Sequence, residues 1–328
     1  MNKSLIAVAS SALFAVALPN LALAQSVKVD GSSTVFPVTE AVAEEFQKAN
    51  RNLKVTVGIS GTGGGFKKFC RGETDIQNAS RPILAGEMKD CKAAGVQYVE
   101  LPVAFDALTV VVHKENPLQD ISIDDLKKMW EPAAQGKVMR WKDANPAFPD
   151  LPLQLFGAGS DSGTFDYFTE AVTGKSKSSR GDFTASEDDN VIVQGVSRSR
   201  NALGFFGFAY YEENKDKLRG LNISWKGGKA VAPSADNVLN GTYQPLSRPI
   251  FIYVNAKSLA KPEIKAFAEF YMKNAPKLVK EVKYVPLPAK AYAYNMDALQ
   301  KVRVGTKMGG ENKVGLTVEQ LMALEAKE

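Results

Sequence analysis

Histidine is nearly absent from this chain: His113 is the only one in 328 residues. A Ser-His-acid hydrolase needs that side chain as its base. His113 instead closes an apolar run, far from the Ser160-Asp161-Ser162-Gly163 stretch that would supply a nucleophile, and no acid partner stands beside it. Cysteine is almost as scarce, with only Cys70 and Cys91. One histidine, two thiols and scattered carboxylates do not make a zinc site, and Asp188-Asp189 reads as a cap or turn before it reads as a hard-cation site. Basic residues exceed acidic ones by only 41 to 36, for a net charge of +5, and they form neither a run nor a helical stripe. That balance excludes a nucleic-acid partner and mildly favours a small anion. After the first stretch, no apolar run approaches the length needed to span a membrane.

What is present is an ordinary globular composition, 45% hydrophobic and 23% charged, in a chain long enough for two domains. Lys3, the apolar core Leu5 to Leu18 and Ala22-Leu23-Ala24 together read as an export signal cleaved after Ala24, with a periplasmic destination. In an exported chain the isolated pair Cys70 and Cys91 is expected to be bridged, which removes thiol catalysis as well.

The first half alternates strand and helix. Ser26 to Asp30 reads as a strand, and Gly31-Ser32-Ser33-Thr34 leads into a helix with Val38, Val42 and Phe46 on one face. Leu53, Val55, Val57 and Ile59 alternate before Ser60-Gly-Thr-Gly-Gly-Gly-Phe66, a strand, glycine turn and helix start. Glycines admit an anion close to the backbone, helix N-termini aim N–H groups at it, and Ser60 and Thr62 add hydroxyl donors. The turn is no P-loop, because no Gly-Lys-Ser/Thr closes it, and Phe66 stands where the last glycine of a dinucleotide fingerprint belongs. Asp75 to Ala79 is a third strand, closing at Ser80-Arg81-Pro82-Ile83. A crossing into a second lobe is placed at His113. Ile123 to Trp130 is a short helix begun by Ser122 or Asp124, and Leu153 to Phe156 is a strand that runs into another hydroxyl-rich helix start at Ser160 to Thr164. The aromatic stretch Asn201 to Tyr211 reads as core, and Arg248 to Val254 as the returning crossing strand. Polar turns at the carboxyl ends of strands, in both halves of an exported chain, describe a two-lobed α/β binding protein.

Five stretches in order carry a resemblance. Asp30 to Pro37, Ser60 to Phe66, Ala79-Ser-Arg-Pro-Ile83, Asp161 to Phe168 and Pro245-Leu-Ser-Arg-Pro-Ile-Phe-Ile-Tyr-Val254 are similar to the phosphate-binding subunit of phosphate ABC importers, the PstS family. The resemblance implies a type II periplasmic-binding fold, two α/β lobes with mostly parallel sheets joined by two crossing strands. Lobe I would be residues 25–112 and 248–328, and lobe II residues 113–247. It implies a monomeric, non-enzymatic receptor without cofactor or metal, which holds inorganic phosphate in the cleft and passes it to the transmembrane subunits of a permease. Sulfate or another tetrahedral oxyanion is the alternative ligand, and a secreted phosphatase or serine hydrolase the alternative class. By motif, Ser33 and Thr34, then Ser60, then Ser162, Gly163 and Thr164 are the ligand turns. Where the family places an aspartate and an arginine this chain has Arg81 and Ala158. Arg81 is therefore expected to provide the cleft's positive charge, and Asp161 to accept a proton from hydrogen phosphate.

Overall fold

The computed structural model describes residues 26–324, so the expected export signal lies outside the described residues. From its start the chain runs β1 (Ser26–Gly31), α1 (Phe36–Ala49), β2 (Lys54–Val57), α2 (Gly61–Cys70), β3 (Ile76–Ala79), α3 (Ala85–Ala93) and β4 (Tyr98–Ala107). In β1 the buried Val27 and Val29 flank the exposed Lys28, the period of two expected of a strand with one face covered. In α1 Val38, Val42 and Phe46 are buried on one stripe, and Pro37 sits in the first turn, where no N–H is needed. Strands β2, β1 and β3 pair in parallel, so each connection must cross over through a helix.

β4 is buried at every position and leads, through Leu108 alone, into β5 (Thr109–His113) of a second sheet. That lobe continues with β6 (Asp120–Ser122), α4 (Ile123–Trp130), α5 (Trp141–Ala144), β7 (Gln154–Ala158), α6 (Gly163–Thr173), β8 (Thr184–Ser186), α7 (Asp189–Ser197) and β9 (Ala202–Phe206). It closes with α8 (Phe208–Glu213), β10 (Leu218–Gly220), β11 (Asn222–Ser224) and α9 (Ala235–Leu239). Its five-stranded sheet has the order β10-β5-β9-β7-β8, with β9, β7 and β8 parallel, while β6 and β11 form a separate ribbon. The chain then returns through β12 (Ser247–Asn255), which lies antiparallel between β3 and β4 in the first sheet. α10 (Pro262–Glu281), β13 (Val285–Pro286) and α11 (Ala289–Gln300) pack with the first sheet, and α12 (Val318–Ala323) follows.

The two crossings touch: Leu108 N–H donates to Leu246 O at 2.9 Å. The sheets therefore exchange the chain at Leu108, earlier than the boundary expected after Val112, because Thr109 to His113 pair with β9 and β10. Both segments are buried on both faces, so the apolar run carries no mark at the junction.

A second difference lies in the glycine stretch, which is not a turn before a helix but the first turns of α2 itself. Small size is required there by neighbours. A Cβ on Gly65 would fall 2.7 Å from the Cα of Gly31, and one on Gly61, whose φ is +73°, would fall 2.6 Å from the carbonyl oxygen of Asp161. Cys70 and Cys91 are bridged as expected and tie the end of α2 to α3. Closing that loop contributes about 3 kcal/mol in the chain-entropy picture.

Candidate functional site

In both lobes the turns after parallel strands point at the seam between the sheets, which is where the hydroxyls collect. Thr34, in the β1–α1 turn of the first lobe, meets Thr164 in the first turn of α6 of the second, Oγ1 to Oγ1 at 2.8 Å. Thr62, in the first turn of α2, shares a hydrogen bond with the Ser80 hydroxyl at 3.2 Å and accepts the Ser80 N–H at 3.1 Å. Gly163 is set against both, since a Cβ there would lie 2.6 Å from Thr62 Oγ1 and 2.8 Å from Ser80 Oγ. Ser162 caps α6 by accepting the Thr164 N–H. Across the seam, Gly63 N–H of α2 donates to Asp161 O at 2.7 Å. The N-terminal ends of α1, α2 and α6, with their positive dipole ends, thus converge from two lobes.

Beneath these hydroxyls lies a residue that the sequence reading left in an apolar strand. Arg248 of β12 is 1% exposed and donates from Nη2 to Thr164 Oγ1 at 2.8 Å and from Nη1 to the Gly163 carbonyl at 3.3 Å. A single carboxylate, Asp106 of β4, holds its other edge through Nε at 3.1 Å and Nη2 at 2.9 Å. Burial pushes the Asp106 carboxyl up, and the Arg248 charge and the Phe208 N–H pull it down. An ionised aspartate within an all-buried strand is the signal that could have found this pair, because such a group needs a counter-charge.

Arg81 also lies at the seam, where it is already paired. Its guanidinium is 2% exposed, but its donors are taken: Nη1 and Nη2 by Glu87 at 2.8 and 2.7 Å, Nε by Asp166 at 2.6 Å, and Nη1 also by the Pro82 carbonyl. Two carboxylates balance its charge in this arrangement. Asp161 lies further out. Its carboxylate sits at the rim, 40% exposed, and pairs with Lys67 at 3.1 Å. Ser60 turns its hydroxyl onto Asp30 at 2.5 Å, beside Lys68, rather than toward Thr34 and Thr164.

Ser33, buried beside Thr34, faces a further carboxyl. Asp189 opens α7 in the second lobe, is fully buried, and completes no hydrogen bond at either oxygen among the described residues. Burial pushes it up to about 7, against the pull of the Ser33 hydroxyl and the Arg248 charge. Its unfolded value is about 3.9. Between these two values the native state holds a proton that the unfolded chain has released, so stability falls as pH rises through that window and levels off above it. The slope from this one group approaches about 1.4 kcal/mol per pH unit. Denaturant melts from pH 4 to 8 should show a shallower decline in Asp189→Asn than in the wild type; equal slopes would mean the carboxyl is not protonated in the fold.

None of this assembles a nucleophile and base. His113 Nδ1 accepts the Glu115 N–H at the end of β5. Two lobes bridged by crossing strands, with hydroxyls, helix N-termini and the buried arginines Arg81 and Arg248 at the seam, define a type II periplasmic-binding protein. The model of the PBP superfamily domain matches residues 19–275. Protein SphX of Synechococcus elongatus is 55% identical over 91% of this chain and 88% of its own length. The phosphate-binding protein PstS of Staphylococcus saprophyticus is 38% identical over 84% of this chain and 85% of its own. A Planctomyces limnophilus structure, described as a possible phosphate-binding protein, superposes with a TM-score of 0.63 at 46% identity, covering 85% of this chain and 99% of that one. A Clostridium perfringens structure with bound phosphate gives 0.68 at 26% identity, covering 80% and 100%. The chain belongs to the PstS family of phosphate-binding proteins, which are binding components of transport systems and not enzymes.

Proposed function

We propose that this chain is an exported receptor that captures inorganic phosphate at the seam between its lobes and delivers it to the transmembrane subunits of an ABC permease. It would act as a periplasmic monomer after cleavage behind Ala24. The observation that carries the reading is the meeting of hydroxyls from both lobes, Thr34 and Thr164 at Arg248 with its one counter-carboxylate, and Thr62 and Ser80 around Gly163. Such a site offers a tetrahedral dianion hydroxyl and amide donors beside a buried positive charge. The relatives' names and the phosphate in the Clostridium perfringens structure support that choice of anion.

Sulfate has the same shape and differs in carrying no proton at neutral pH. To Asp189, buried beside the Ser33 hydroxyl, we assign the sharing of the proton of hydrogen phosphate. When ionised it repels an anion that cannot offer one. Calorimetry at pH 8 with phosphate, sulfate and arsenate, alongside an ester-hydrolysis assay, tests the reading. Phosphate and arsenate should bind, sulfate should bind far more weakly, and no ester should turn over. Asp189→Asn should narrow the gap between phosphate and sulfate. Equal affinity of the wild type for phosphate and sulfate would sink the phosphate assignment.

A further inference from the structure

Arg81 and Asp166 face each other from different lobes. Arg81 lies between β3 and α3 of the first, and Asp166 in the first turn of α6 of the second. Within its own lobe Arg81 is held rigid. Glu87 grips it through both carboxylate oxygens, and the Leu84 N–H in turn holds Glu87 Oε2 at 2.9 Å, so the guanidinium is aimed outward before any partner arrives. The face of Phe66 lies 5.9 Å from it. Its Nε then reaches Asp166 Oδ2 at 2.6 Å, its one side-chain hydrogen bond to the opposite lobe among the described residues. Asp166 is 1% exposed, and its Oδ1 completes no hydrogen bond among the described residues, with the Lys177 ammonium at 3.7 Å.

Burial opposes the Arg81 charge, yet Glu87 and Asp166 outweigh it and hold the guanidinium ionised. Arg81 also lines two surface cavities, of 400 and 280 Å³, the second of them shared with Asp166. Water therefore has a short path to the pair once the lobes part.

We propose that Arg81 and Asp166 form a latch of the closed protein, which sets how long a bound anion is retained without touching it. Arg81 is then a positioning residue. This rests on the reading that phosphate binds at the seam and that the lobes part to admit and release it. A contact made only in the closed state slows opening and leaves encounter unchanged, so it acts on dissociation. Because one partner is pre-aimed by Glu87, little ordering is lost when the bond forms.

The test is rapid-mixing kinetics of inorganic phosphate on the full chain, with wild type, Arg81→Gln, Asp166→Asn, the double variant and Arg81→Lys. Each single neutral variant should raise the dissociation rate roughly tenfold while the association rate stays within about twofold. The double variant should release no faster than either single one, because both remove the same bond. Arg81→Lys, which keeps the charge and a smaller donor set, should recover part of the retention and keeps the test alive if Arg81→Gln does not fold. Multiplying effects in the double variant, or a loss confined to association, would overturn the latch. A wild type that binds no phosphate would instead overturn the underlying reading.

Discussion

Replacing Arg248 should remove most of the phosphate affinity: Arg248→Gln is expected to cost about 2 to 5 kcal/mol of binding, roughly thirtyfold to several-thousandfold. Helix N-termini contribute only partial charges, and Arg248 is the one buried cation at the seam whose counter-charge is a single carboxylate. The same substitution leaves Asp106 buried without a partner, which itself lowers stability. Arg248→Lys separates the two effects. It keeps a positive charge over Asp106 but loses the planar fork, so the fold should survive while affinity falls by an intermediate amount. Calorimetry on both variants, with thermal melts as a check on folding, decides the matter. Affinity within about threefold of wild type in both would remove Arg248 from the site.

The second large effect is expected at Gly163. An added methyl there would fall 2.6 Å from Thr62 Oγ1, 2.8 Å from Ser80 Oγ and 3.0 Å from Arg81 Cγ, all of which belong to the opposite lobe. Short side chains anchored in turns cannot swing far aside, so Gly163→Ala should hold the lobes apart. By the usual cost of overpacking, about 1 to 3 kcal/mol, phosphate affinity should drop roughly five- to 150-fold. Because those three nearest atoms all lie across the seam, the melting temperature without phosphate should move little. A variant that binds as tightly as wild type would show that full closure is not needed. One that melts much lower without ligand would place the clash within a lobe.

Those two residues mark what the chain disclosed unevenly. Helix α4 was legible to the residue, because Ser122 announces its start and Ile123, Leu126, Met129 and Trp130 keep the helical period. The hydroxyl turns were legible too, since Ser, Thr and Gly between a strand and a helix have few other uses. α3 was not, because Cys91 is its only buried residue and a nine-residue helix with one inward side chain carries no period. α11 buries Ala, Asn and Tyr, which do not stand out as a stripe.

The arginines were hardest. Ser-Arg-Pro-Ile occurs twice, at 80–83 and 247–250, and the four residues alone do not tell which arginine is free to meet an anion. What separates them is distant in the chain. Glu87 and Asp166 close around the first, and only Asp106 meets the second. Counting counter-charges across the fold decides which guanidinium is available to an anion, and no local pattern contains that count.

The hydrogen bond from Gly63 N–H to Asp161 O has a meaning beyond contact. The first amides of a helix have no partner within it, so α2 is finished by a carbonyl borrowed from the other lobe. That bond joins main chain to main chain. The docking register of the two lobes is therefore written in the backbone, and neither the Asp161 carboxylate nor its Lys67 partner is needed to keep it. Side chains lining the seam can then change what is held there while the geometry of docking stays the same.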